Sequence, residues 1–288
     1  MNFLLTLQCS NNCSFCFMPR NDVTHMSVTD FIRYFQHSLR LGQRNIGILG
    51  GEPMMSPNFI PIIDFLVENR FYYEQFRLFS NMTCSDVCRQ LADVSMSATS
   101  GFNFLVWNNA CLYKKDRRFV DEVHANVSAL TQGIFAKTFR ISMSLTLTLA
   151  TTVDDLAYLS VCRDLFGINN IRFALDVGTH DKFSAGQILT ILAYLKKEGF
   201  DVEGDFCGFV PLSLFNDDER RRLAEFNVHN LCLGFCGDVT PAGKLIPCMP
   251  FLFKDDAIDF LSVDSWASAI LRHRGFPFAE PCKKGIKT

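Results

Sequence analysis

The chain has 288 residues, 48% of them apolar and 29 of them phenylalanine, with a formal net charge of −2 from 28 basic and 30 acidic side chains. That balance excludes a nucleic-acid binder working through a basic face, and no apolar run reaches the ~18 residues of a membrane span. The opening MNFLLTL lacks the basic flank and cleavage site of a secretory signal. The chain is therefore expected in the cytoplasm, where its twelve cysteines read as metal-binding or catalytic thiols rather than disulfides.

Strand-like and helix-like stretches alternate along the chain. A strand is predicted over 2–8, then an amphipathic helix over 27–42 opened by Ser27 with Asp30 as a capping pair. Strand and helix follow over 44–51 and 58–70, 75–81 and near 84–98, and 102–108 and 116–132. Two more pairs lie at 138–150 with 152–166, and at 170–178 with 184–199. Six β-then-α units predict an α/β fold with a parallel sheet and right-handed crossovers. Six is short of a closed eight-fold barrel, so the expectation is a partial (β/α)6 TIM-like barrel. The strand over 138–150 places Arg140, Ser142, Ser144, Thr146 and Thr148 on one face and apolar residues on the other. A polar face in such a sheet suits a wall of a wet cavity.

The repeat stops near 205. Domains are expected at 1–205, the partial barrel, and 206–288, a small α+β unit with a β-hairpin around TPAG and a helix. The runs RRFVDEVH and ERRRLAE are mixed in sign and read as solvated helix faces.

Directly after the first strand stands CSNNCSFC, with Cys9, Cys13 and Cys16 in C-x3-C-x2-C spacing. A structural zinc site takes four ligands. Three local thiolates leave either a distant fourth ligand or, on a [4Fe–4S] cluster, one iron open to a small molecule. The loop sits where such folds place their chemistry, at the C-terminal end of a strand. The second predicted strand ends in GILGGEP, with Gly50, Gly51, Glu52 and Pro53.

These two motifs together resemble the radical S-adenosylmethionine (SAM) enzymes, whose signature is C-x3-C-x-φ-C with an aromatic φ, here Phe15, followed by GGEP after the next strand. The resemblance implies a [4Fe–4S] cluster on Cys9, Cys13 and Cys16 that binds SAM at its open iron. It also implies Gly50 and Gly51 against the methionine part of SAM, and Glu52 on its amino group. FSNMT at the end of the third strand is similar to the family's T-N-G segment, with Ser80 for Thr, Asn81 kept and Met82 for Gly. Ser80 or Asn81 is thereby implied at the ribose, and Ser142 or Ser144 at the ribose or carboxylate. In the fourth strand Val106 and Asn108 stand where relatives often have Ser and Asp, a departure from the family's pattern at that contact. The implied chemistry is reductive cleavage of SAM to a 5′-deoxyadenosyl radical that takes a hydrogen atom from a substrate, with electrons from a donor such as flavodoxin or ferredoxin.

Cys232, Gly243 and Cys248 form C-x10-G-x4-C, followed by Trp266 and by Cys282 in EPCKKG. This resembles the twitch/SPASM appendage and implies an auxiliary [4Fe–4S] cluster. Gly285 occupies the place of that motif's last cysteine. Either Cys236 completes the set of Cys232, Cys236, Cys248 and Cys282, or one iron is open to substrate; zinc on the same four thiols is the other reading. Cys207 either replaces one of these ligands or serves as a catalytic thiol. Cys84, Cys88, Cys111 and Cys162 read as buried free thiols. The leading substrate expectation is a ribosomally made peptide that is crosslinked, epimerised or oxidised. The alternatives are a small molecule of antibiotic or cofactor biosynthesis, handled by a dehydrogenase or cyclase, and a non-catalytic metalloprotein.

Overall fold

The computed structural model describes residues 1–16, 18, 22–95, 103–109, 116–176, 182–203, 216–226, 237–246 and 257–273. The chain forms two compact units, one of Met1–Ile141 with Phe235–Gly275 and the other of Ser142–Gly234 with Phe276–Thr288. The boundary expected near 205 falls outside the described residues.

In the first unit, strands alternate with helices: β1 (Asn2–Leu4), α1 (Val28–Arg40), β2 (Asn45–Leu49), α2 (Phe59–Glu68), β3 (Gln75–Ser80), α3 (Ser85–Ala92), β4 (Asn103–Asn108) and α4 (Arg117–Gln132). β1 to β4 pair in parallel and in chain order. One register row crosses them from Phe3 through Ile48 and Leu78 to Leu105, and all four are buried. Such continuous apolar rows are what a parallel sheet covered on its faces requires. Against it α1 and α2 set a cluster of aromatic rings, with Phe31 5.1 Å from Phe3 and Phe35 5.4 Å from Phe65. Ser27 caps α1 as expected, its hydroxyl accepting from the Asp30 N–H at 3.0 Å.

The second unit holds residues 142–147 of β5 (Phe139–Leu147), then α5 (Val153–Phe166), β6 (Asn170–Leu175), α6 (Ala185–Lys197), β7 (Asp201–Glu203) and α7 (Asp217–Ala224). β5, β6 and β7 are parallel, with Met143, Ile171 and Val202 in one buried row. Thr152 with Asp155, Ser184 with Gln187, and Asn216 with Glu219 are reciprocal capping boxes. β7 and α7 lie beyond the predicted elements. Three residues give β7 no periodicity to read, and α7 is so polar that its Asn216–Glu219 box is its main sequence mark.

The mixed α/β order with parallel strands is the one expected for a partial (β/α)6 barrel. The hairpin predicted around TPAG is also present, as β8 (Asp238–Val239) and β9 (Lys244–Ile246). β8 pairs in parallel with β1, placing Val239 beside Phe3, and Asn2 Nδ2 donates to Asp238 Oδ1 at 2.7 Å. β10 (Ile258–Asp259) pairs antiparallel with β9, and α8 (Trp266–His273) opens at the expected tryptophan. Phe260 packs edge-on against His37 at 4.9 Å and Tyr34 at 6.0 Å, joining this segment to α1. Among the described residues no helix is long and apolar enough to cross a membrane.

Gly243 turns the hairpin at a φ of 72°, and a Cβ there would lie 2.1 Å from the Tyr34 hydroxyl. Gly243→Ala therefore destabilises the chain by about 1–2 kcal/mol, chiefly through the left-handed backbone. Equilibrium unfolding in urea measures it as a lower midpoint at unchanged slope.

Candidate functional site

The predicted strand 2–8 is regular only as far as Leu4. Beyond it the backbone still bonds on both sides. Leu5 N donates to Leu49 O at 2.9 Å, while Gly51 N donates to Thr6 O at 2.9 Å and Glu52 N to Gln8 O at 2.7 Å. On the other side Met26 N donates to Leu5 O at 2.8 Å, and Leu7 N to Thr24 O at 3.2 Å. Residues 5–8 are thus clamped between 24–26 and 49–52. The clamp is tight where it meets the two glycines: a Cβ on Gly50 would stand 2.3 Å from the Thr6 carbonyl oxygen, and one on Gly51 2.2 Å from that of Gln8. The glycines expected to face a ligand are accounted for first by this chain-to-chain approach.

The clamp delivers the chain directly into the cysteine loop. Cys9 and Cys13 are half-buried and Cys16 is exposed. A turn forms where Cys16 N donates to Cys13 O at 3.1 Å. The Cys9 sulfur accepts from Asn11 N at 3.4 Å and from Asn81 Nδ2 at 3.5 Å. Burial pushes the Cys9 thiol up to about 11; the Asn11 N–H opposes this, and the neighbouring Glu52, Cys16 and Cys13 add to it. The three thiols are therefore within one another's electrostatic reach. Among the described residues no three His, Cys, Asp or Glu side chains converge as a metal-holding group. The donor set nonetheless fits an iron–sulfur cluster: three soft thiols on one short loop, each of whose mutual repulsions a bound cation would reverse.

Glu52 is 0% exposed. Its Oε1 accepts from Met54 N at 3.1 Å, where it caps the 3-10 turn Pro53–Met55, and from the Ser80 hydroxyl at 2.8 Å. Its Oε2 accepts from Asn81 N at 2.6 Å. Burial outweighs these donors and pushes the carboxyl up to about 7. Among the described residues no cation faces it, and Oε2 keeps a lone pair unused. A buried carboxylate with donors but no countercharge is suited to receive one from a ligand.

Ser80 and Asn81, expected at a ribose, bond to Glu52 in this structure, Ser80 by its hydroxyl and Asn81 by its backbone N–H. Met82, standing where the similar segment has glycine, has a φ of 61°. Its side chain is buried and its carbonyl accepts from Asn126 Nδ2 at 2.8 Å, which holds the left-handed turn. Phe15 is half-buried on the cysteine loop, and Pro53 is buried at the start of its turn. Val106 is buried in β4 and Asn108 exposed at its end. Ser142, buried, and Ser144, half-buried, belong to the second compact unit.

Cys207, Cys232, Cys236, Cys248, Cys282 and Gly285 lie outside the described residues, as does Cys111. Cys88 and Cys162 are buried, as read from the sequence. Cys84 is only half-buried, a correction to its reading as core. Burial pushes its thiol up to about 12, and the next contribution is Glu52, with Cys9 also adding. Sequence reasoning also missed Ser10 and Thr83, whose hydroxyls meet at 2.9 Å. The one signal for them is adjacency: each follows or precedes a motif residue by one or two positions.

Residues 3–106 match the Radical SAM superfamily. Among solved structures the chain is similar to Streptococcus suis SuiB bound to S-adenosylmethionine, at a TM-score of 0.65 and 16% identity over 91% of this chain and 63% of that one. SuiB bound to precursor peptide SuiA matches with a TM-score of 0.63 and 15% identity over 91% of this chain and 62% of that one. Native anSMEcpe with bound AdoMet and Cp18Cys peptide matches with a TM-score of 0.55 and 14% identity over 100% of this chain and 83% of that one. At these identities the likeness establishes the fold, and the chain spans less than two thirds of SuiB. No curated protein matches the chain.

Two outcomes follow from the clamp and the carboxylate. Gly51→Ala forces residues 7–8 away from residues 51–52 and costs about 1–3 kcal/mol; thermal unfolding reads the loss. For Glu52, the native chain holds more protons than the unfolded one between the ordinary carboxyl value of 4.5 and about 7. Stability of the ligand-free protein therefore falls as pH rises through that window. Urea midpoints measured from about pH 5 to about pH 8 show this slope in the wild type, and Glu52→Gln lacks it.

Proposed function

Residues 3–106 being a radical SAM domain, we propose that the chain reductively cleaves S-adenosylmethionine and abstracts a hydrogen atom from a ribosomally made peptide. A [4Fe–4S] cluster, when bound, supplies the electron for that cleavage. Cys9, Cys13 and Cys16 are its ligands, with the loop they occupy rooted in the clamp of residues 5–8.

The observation that carries the reading is Glu52. Its buried carboxylate lies within electrostatic reach of Cys9 and lacks a countercharge among the described residues. An ammonium group provides that countercharge. Three donors from Met54, Ser80 and Asn81 fix both carboxylate oxygens before the ligand arrives, so little ordering is required on binding. A bound cation also favours the ionised carboxylate over the protonated one. The peptide assignment is supported by SuiB, whose structure is bound to precursor peptide SuiA, and by anSMEcpe with bound Cp18Cys peptide.

Residues 206–288 are the candidate appendage, with Cys232, Cys236, Cys248 and Cys282 as ligands of an auxiliary [4Fe–4S] cluster and Cys207 as an alternative ligand or catalytic thiol. A flavodoxin or ferredoxin is the proposed electron donor.

Anaerobically reconstituted, reduced protein yields 5′-deoxyadenosine from S-adenosylmethionine, measured by chromatography. Cys9→Ser, Cys13→Ser and Cys16→Ser abolish the product. Glu52→Ala lowers kcat/KM for S-adenosylmethionine by about 100-fold, the value of one charge-assisted contact. No product from the wild type removes the reading. Iron and sulfide near eight each per chain support the auxiliary cluster, and about four each sink it.

A further inference from the structure

Asn81 touches both halves of the site. Its backbone N–H goes to Glu52 Oε2 at 2.6 Å, and its side-chain Nδ2 goes to Cys9 Sγ at 3.5 Å. The orientation of the amide is fixed independently of the sulfur. The backbone N–H of Thr83 can only donate, and it meets Asn81 Oδ1 at 3.1 Å. The Thr83 hydroxyl donates to the same oxygen at 2.6 Å, so its own oxygen is left to accept from the Ser10 hydroxyl at 2.9 Å. With Oδ1 held by two donors, Nδ2 is turned to the thiol. The links run Ser10 to Thr83 to Asn81 to Cys9, and the peptide bond between Cys9 and Ser10 closes the ring. Asn81 is 6% exposed, and its N–H···S contact is part-buried.

We propose that Asn81 is a positioning residue that holds the Cys9 thiolate and raises the reduction potential of the cluster bound there. The inference rests on the reading that Cys9, Cys13 and Cys16 carry a [4Fe–4S] cluster. One-electron reduction adds a negative charge that spreads over the cluster and its thiolate sulfurs. A donor aimed at one of those sulfurs stabilises the reduced form more than the oxidised one, so removing it moves the potential down. This role differs from the ribose contact expected for Asn81, because it acts before S-adenosylmethionine is present.

The test is an EPR-monitored dithionite titration of the reconstituted full chain without S-adenosylmethionine. It compares wild type, Asn81→Ala and Asn81→Asp, with Cys232→Ala in all three backgrounds to isolate the first cluster. Asp keeps the acceptor for Thr83 and loses the donor to sulfur. Iron content and circular dichroism match wild type in both variants, and the midpoint moves to a more negative potential in both, further in Asp because a carboxylate faces the sulfur. An unchanged midpoint at full iron content overturns the inference, as does a change confined to the affinity for S-adenosylmethionine. If neither variant holds a cluster, Thr83→Val carries the titration. It removes one of the two donors that orient the amide, and a smaller negative shift supports the role while none overturns it. A wild type that assembles no cluster at all defeats the underlying reading instead, so the two failures are distinguishable.

Discussion

The interaction on which the site depends is the passage of residues 5–8 across Gly50 and Gly51. Backbone bonds from Leu5, Gly51 and Glu52 hold it on one side, and bonds involving Leu5 and Leu7 hold it on the other. It fixes where the cysteine loop begins and, through Glu52 N on Gln8 O, where the carboxylate begins. Two side chains 43 positions apart in sequence, Cys9 and Glu52, are placed by the same few peptide groups. Chemistry that needs a thiolate cluster and a carboxylate at a set spacing gains a rigid reference from backbone alone, without relying on long side chains.

Glu52 is the expensive element of this arrangement. Full burial works against its charge, and its three donors only partly compensate. The cost makes sense if the site is completed by a cation, since an already satisfied carboxylate would have little differential affinity to offer. Cys9 follows the same logic: burial and nearby negative charge hold its thiol protonated, so a metal bound there would have to displace that proton. Burial thus favours the neutral forms of both Cys9 and Glu52.

Much of this was legible in the sequence for a simple reason. Strand–helix alternation, the Ser27 cap and the TPAG turn are local signals, and local physics carries them into the fold. The cysteine spacing and GGEP also point to the same strand ends that the structure brings together. What was not legible depends on tertiary contact. Nothing in the run FSNMTC announces that Ser80 turns to Glu52, that the Asn81 amide turns to Cys9, or that Cys84 sits near both. The glycines are also demanded by the neighbouring strand extension, whose backbone lies within 2.3 Å of where their Cβ atoms would stand. β7 escaped because three residues leave no period to detect. For Met82, the similarity to a glycine-bearing segment was a usable clue to a left-handed backbone, and its φ of 61° agrees.

The parallel pairing of β1 with β8 has a temporal side. Asn2 and its partner Asp238 are separated by 236 positions. During synthesis the first strand finds β2 early, yet its other edge has no neighbour until the hairpin has left the ribosome. An open parallel edge of apolar residues such as Phe3 is a template for unwanted pairing with other nascent chains. Closing so long a loop also comes late in folding. The strand that leads into the cysteine loop is thus made well before its second neighbour and is enclosed late.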